Sequence, residues 1–207
     1  MAIAPGTTLI DYISPSTSSR SKTLLKDGAL VVGTSLLMAL SARASIQLGF
    51  TPIPITLQTL VVMLAGATLG SRRGALAMLL YLAEGAAGLP VFAGGLSGLF
   101  YLLLAPSAGY LWSYPIAAFV VGFLCERGLD RSFLTSILAM LPGTAIIYAF
   151  GVTWLALITH MSFGKAIVLG MLPFLPGDIT KIIVAAILMP LAWLIVSLIK
   201  PAPRNRG

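Results

Sequence analysis

Apolar residues run along this chain in long, nearly unbroken stretches separated by short polar breaks. The pattern has neither the alternation of a half-buried strand nor the one-sided stripe of a soluble helix. A helix that crosses a bilayer needs about 20 largely apolar residues. The stretches at residues 25–45, 56–71, 74–92, 107–126, 132–158 and 179–200 are read as six such helices, the second short and the fifth long. They predict an all-α integral membrane protein with a polar N-terminal segment over 1–24, a membrane domain over 25–200 and a basic tail over 201–207. Six crossings put both termini on one side.

Charge placement supports the count. Arg20, Lys22 and Lys26 precede the first stretch, Arg72 and Arg73 separate the second from the third, and Arg127 and Arg131 separate the fourth from the fifth. With Lys200, Arg204 and Arg206, ten of the thirteen basic residues fall on one face. Short cytoplasmic loops collect Lys and Arg, so this face is predicted to be cytoplasmic, with both termini inside. Arg43, Lys165 and Lys181 fall on the other face or within the membrane.

The loops on that other face, "GFTPIPIT" (49–56), "GAAGLPVFAGGLSGLF" (85–100) and "THMSFGKAIVLGMLPFLPGD" (159–178), are almost free of charge and rich in Gly and Pro. Irregular backbone at membrane depth is tolerated where protein buries it or where it lines a cavity. These loops are therefore expected to fold over one another and roof an external pocket, with residues 163–172 as a helix too short to span. Gly66, Gly70 and Gly74 lie at i, i+4 spacing. They read first as a tight turn in "LGSRRG", with a helix-pairing face as the alternative.

Composition narrows the class. Of 207 residues, 58% are hydrophobic and 9% charged, against about 25% charged in soluble domains. The net charge of +7 sits in short clusters between apolar runs, which argues for membrane orientation and against a nucleic-acid partner. The first 22 residues are polar and rich in Ser and Thr, unlike a signal peptide. Cys125 is the sole cysteine, so no intrachain disulfide and no multi-cysteine metal site forms.

Arg43, Glu84, Asp178 and Lys181 lie in or beside the apolar stretches. A charge at bilayer depth costs several kcal/mol (of order 3 on insertion scales) unless paired or hydrated, so each is a candidate for function or for a structural ion pair. In "PFLPGDITK" (173–181) the prolines and glycine read as a lead-in turn and Asp178 as an N-cap. Lys181 opposes the positive end of the helix dipole and needs an acceptor. Three positions apart, Asp178 and Lys181 face the same way, either neutralising each other or offering an acceptor and a donor to a ligand. "TPIPITLQT" adds Thr56, Gln58 and Thr59; Tyr81 sits one turn from Glu84. Tyr110, Trp112 and Tyr114 read first as an interface belt of aromatics.

The stretches 51–95, 106–122 ("PSAGYLWSYPIAAFVVG") and 173–181 closely resemble the BioY family, the biotin-specific S components of energy-coupling-factor transporters, with likeness from about residue 25 to 198. The resemblance implies a six-helix protein of the prokaryotic plasma membrane that captures biotin with high affinity. It implies as partners a transmembrane coupling protein and two cytoplasmic ATPases, with no cofactor and no catalysis. On this chain Asp178 and Lys181 would hold the ureido head, with Thr56, Gln58, Tyr81 and Glu84 completing the polar wall. Val91, Phe92 and Tyr110 would pack the thioether ring and valeryl chain, and Arg43 would balance Glu84 or hold the carboxylate. Ser35 and Ala39 stand where an Ala-xxx-Ala coupling face is expected.

Rival readings follow from other features. No G-x-x-x-x-G-K-[ST] phosphate loop occurs, so ATP is not hydrolysed by this chain. Another vitamin as cargo, thiamine or riboflavin, and a solitary facilitator are the nearer alternatives. A rhomboid-like serine protease, from "GLSG" with Ser97 and a distant His160, is the remote one.

Overall fold

A computed structural model describes residues 6–15 and 19–199. Part of the N-terminal segment and the tail 201–207, with Lys200, Arg204 and Arg206, lie outside the described residues. The described chain is almost wholly helical: α1 (Leu9–Ile13), α2 (Arg20–Arg43), α3 (Gln58–Leu69), α4 (Ser71–Ala86), α5 (Leu99–Leu104), α6 (Ala108–Glu126), α7 (Phe133–Thr159), α8 (Phe163–Gly170) and α9 (Leu175–Ile199). Each of the six predicted apolar stretches contains one helix. Four of these, α2, α6, α7 and α9, are long and apolar enough to cross a membrane. α3 is apolar but only 12 residues long.

Three local features differ from the all-α expectation. A two-residue hairpin, β1 (Ser45–Ile46) and β2 (Ile55–Thr56), pairs Ser45 with Thr56 and Ile46 with Ile55 across the first loop. α5 forms inside the Gly-rich second loop, where "LFYLLL" follows Gly98. α1 forms in the polar N-terminal segment, with Thr8 Oγ1 capping Asp11 N. α9 begins at Leu175, three residues before the predicted N-cap. Pro176 fits there because the first four amides of a helix have no intrahelical acceptor, so its missing N–H is not needed.

α6 is the central helix, packed against α3, α4 and α7. Glycines set the closest approaches. A Cβ on Gly66 would stand 2.4 Å from the Ala118 carbonyl, and one on Gly122 would stand 2.4 Å from Ser71 N. A Cβ on Gly74 would stand 3.0 Å from Gly66 Cα, while Gly70 makes the turn with φ +87°. Gly66 and Gly74 therefore serve contacts within one chain, with Gly70 as the turn between them.

At the Arg-rich end, side chains tie helix ends together. Arg73 bridges Asp11 (2.8 Å) and Asp27 (2.9 Å), and Glu126 Oε1 accepts from Ser71 N (2.7 Å). Asp130, buried in the α6–α7 turn, accepts from Trp193 Nε1 (2.5 Å) and Arg131 Nε (3.0 Å), and Arg131 stacks on the Trp193 ring. Burial lifts the Asp130 carboxyl above its ordinary range, with the Trp193 and Arg131 bonds pulling the other way.

Candidate ligand pocket

At the opposite end, the loops and the outer halves of the helices enclose about 570 Å³ of non-atom space, part of it open to solvent. The first and third loops are bonded to each other and the second to the end of α2. Thr51 Oγ1 donates to the Leu169 carbonyl (2.8 Å), joining the first loop to α8, and Arg43 Nη2 donates to the Pro90 carbonyl (2.7 Å), holding the second. Apolar walls come from Ile53, Phe92, Leu111, Ile147 and Phe174.

The polar patch is built around Asp178. Its Oδ1 accepts from Lys181 Nζ (2.7 Å) and Thr59 Oγ1 (3.1 Å), and its Oδ2 accepts from the Tyr148 hydroxyl. Lys181 also donates to Thr59 Oγ1 (2.9 Å). A carboxylate has about four lone-pair sites and an ammonium three protons. Three acceptor sites and two protons are used, so among the described residues one acceptor on Asp178 and one donor on Lys181 remain without a partner, and both residues line the cavity. The buried Tyr114 lines the same cavity, and its hydroxyl has no hydrogen bond among the described residues.

Of the sequence-predicted residues, Asp178, Lys181, Thr56, Gln58, Phe92 and Tyr110 line the pocket. Asp178 is not an N-cap; hydroxyl and ammonium donors from three helices engage both its oxygens. Tyr110 presents its ring only, because its hydroxyl donates to the Gly170 carbonyl (2.6 Å). Tyr81 stands behind the wall, accepting from Gln58 Nε2 (2.7 Å) and donating to the Val91 carbonyl (3.1 Å), so Tyr81 and Val91 support rather than line.

Arg43 and Glu84 are not brought together: Glu84 Oε1 accepts from Ser35 Oγ (3.0 Å), and Arg43 holds the second loop. Neither lines the cavity. Ser35 is fully buried by that contact, so it presents no coupling face, and Ala39 is half-buried. His160 caps α7 in a left-handed conformation, and no hydrogen bond links it to Ser97 among the described residues. Tyr148, Tyr101 and Ser107 were not anticipated, and Thr59 and Tyr114 were not placed in the site. For Tyr148 a signal exists: a phenol in the middle of an apolar helix, between Gly143 and Gly151, requires a partner.

The family model for BioY matches residues 14–198. The chain belongs to the BioY family. Among the relatives of this BioY chain, the biotin transporter BioY of Rhizobium etli is 44% identical over 161 residues, covering 74% of this chain and 85% of that protein. The probable biotin transporter BioY of Pyrococcus horikoshii is 40% identical over 163 residues, covering 79% and 93%. A crystal structure of the S-component for biotin from an ECF-type ABC transporter superposes with a TM-score of 0.75 at 27% identity, covering 84% of this BioY chain and 94% of that one. Arg20 to Ile199, the α2–α9 unit, lies almost wholly inside the family match.

Proposed function

We propose that this protein is the biotin-capturing S component of an energy-coupling-factor transporter. The observation that carries the reading is the pair of open valences at one spot: an acceptor on Asp178 beside a donor on Lys181, among apolar walls. A cyclic urea presents an N–H and a C=O side by side, and those two groups meet these two valences. Thr56 and Gln58 extend the polar edge, Tyr114 offers a further hydroxyl, and Phe92 and the Tyr110 ring pack the apolar part of the ligand. Thr59 and Tyr148 hold the carboxylate in place.

In this reading α2, α3, α4, α6, α7 and α9 are six crossings of a prokaryotic plasma membrane, with the Arg-rich end and both termini in the cytoplasm. Residues 25–200 form the membrane domain between a polar N-terminal segment and a basic tail. A transmembrane coupling protein and two ATPases supply the energy for uptake. The short α3 and α4 reach the loop-side membrane surface through the loop that precedes α3 and the loop that follows α4.

The test is a binding assay on detergent-solubilised protein. Labelled biotin is expected to bind at nanomolar to micromolar concentrations, compete with unlabelled biotin and ignore thiamine and riboflavin. Absence of binding, or retention of a different vitamin through purification, overturns the proposal.

A further inference from the structure

The N-terminal segment makes a set of contacts that the pocket does not explain. Gly6 N donates to the Glu126 carbonyl at the end of α6 (2.7 Å), and Arg131 Nη2 donates to the Thr7 carbonyl from the α6–α7 turn (3.1 Å). Leu9 is buried in the core, Asp11 pairs with Arg73 of α4 (2.8 Å), and Tyr12 meets the Trp193 ring of α9 edge-on at 5.7 Å. Lys26 of α2 approaches Asp11 at 3.9 Å and donates to the Ser14 carbonyl. α1 also packs on α3. One strap thus touches α2, α3, α4, α6, α9 and the turn that leads into α7 at the Arg-rich end.

Most pocket groups sit on these helices: Gln58 and Thr59 on α3, Tyr110 and Tyr114 on α6, and Asp178 and Lys181 on α9, with Tyr148 on α7 and the supporting Tyr81 on α4; Tyr101, on α5, is outside this set. Along α9, Lys181 and Trp193 are about 18 Å apart at 1.5 Å per residue, so a helix tied at its inner end is a lever arm for the outer one. α1 also precedes residues 14–198, the part that the family match covers.

We infer that residues 6–14 are a positioning strap: by fixing the helix ends at the Arg-rich face, they hold the pocket wall together and slow escape of the bound ligand. Leu9 and Asp11 are its positioning residues, acting through α4 and α9 without touching ligand. The inference rests on the biotin reading of the pocket. Ion pairs with partly exposed partners, such as Asp11 with Arg73, each contribute modestly. The strap's hold therefore comes from the apolar anchor and the pairs acting together.

The experiment uses the full chain in lipid nanodiscs. Asp11→Lys reverses both ion pairs of Asp11, and Leu9→Asp removes the apolar anchor by a separate route. Amide hydrogen exchange at Gly6 and Tyr12 reports whether the strap has let go, and chase of labelled biotin gives the dissociation rate. We expect faster exchange in both variants and dissociation faster by about fivefold, with the association rate unchanged. A merely structural defect would lower the binding-competent fraction and leave that fraction's dissociation rate alone. A released strap with wild-type dissociation overturns the inference, as does a strap that stays protected in both variants. Failure of the wild-type protein to bind biotin at all would instead overturn the reading of the pocket.

Discussion

The two ends of the bundle use the same kinds of side chain to opposite effect. At the Arg-rich end, charges meet partners within the protein: Arg73 spans Asp11 and Asp27, Asp130 takes Trp193 and Arg131, and Glu126 caps Ser71. At the loop end, Asp178, Lys181 and Tyr114 face a cavity with valences left over. Ion pairing alone therefore does not mark a binding site in this molecule. What separates recognition from scaffolding here is that unspent donors and acceptors belong to residues lining a cavity.

The largest effect expected from breaking this contrast lies near the Arg-rich end, where α6 packs on the α3–α4 turn. Gly122→Val would drive a side chain into the Ser71 backbone, 2.4 Å from where its Cβ must sit. Backbone cannot yield as a flexible side chain can, so a loss of about 3 kcal/mol or more is expected, read as lost folded yield and a lower melting temperature. Next is the pocket itself. Asp178→Asn keeps the shape and removes the charge that Lys181, Thr59 and Tyr148 address. It should weaken biotin by about 30-fold, corresponding to about 2 kcal/mol, in an equilibrium binding titration.

Smaller still is Tyr114→Phe, which deletes a hydroxyl with no protein partner among the described residues. About fivefold weaker binding with an unchanged melting temperature in the absence of ligand is expected; equal affinity would show the hydroxyl idle. The smallest effect belongs to the Arg-rich end and is one of pH. Because burial raises the Asp130 carboxyl above its ordinary 3.8, the folded state binds this proton more tightly than the unfolded state does. Stability should then fall as pH rises from about 3.8 to the raised folded value, and Asp130→Asn should flatten that part of the melting profile.

The helices were legible because lipid-facing residues leave long apolar runs, and because Arg and Lys punctuate them. The pairing of Asp178 with Lys181 was legible from a cation set against a helix dipole. α1 was not, since five residues in a polar segment carry no periodicity; its helix depends on the Thr8 cap and on Leu9 finding the core. Whether Arg43 balances Glu84 or meets a carboxylate stays open in the sequence, because sequence distance hides which face of each helix points where. Ser35 on α2 reached Glu84 first, and the Pro90 carbonyl took Arg43. Tyr114 reads as part of an interface belt because a one-dimensional pattern does not tell outward aromatics from inward ones; for Tyr110, which lines the cavity, the family resemblance supplied what the pattern did not.

The tryptophans carry a practical consequence. All three stand away from the cavity lining: Trp112 and Trp154 pack together at 4.4 Å on α6 and α7, and Trp193 lies beneath Arg131 with Tyr12 at its edge. Ultraviolet emission from this protein thus comes with a built-in division of labour. The Trp112–Trp154 pair serves as an internal standard on the loop half, and Trp193 as an indicator lamp for the N-terminal segment. With both substituted by Phe, the remaining indole would give an optical record of the Arg-rich end without any added dye.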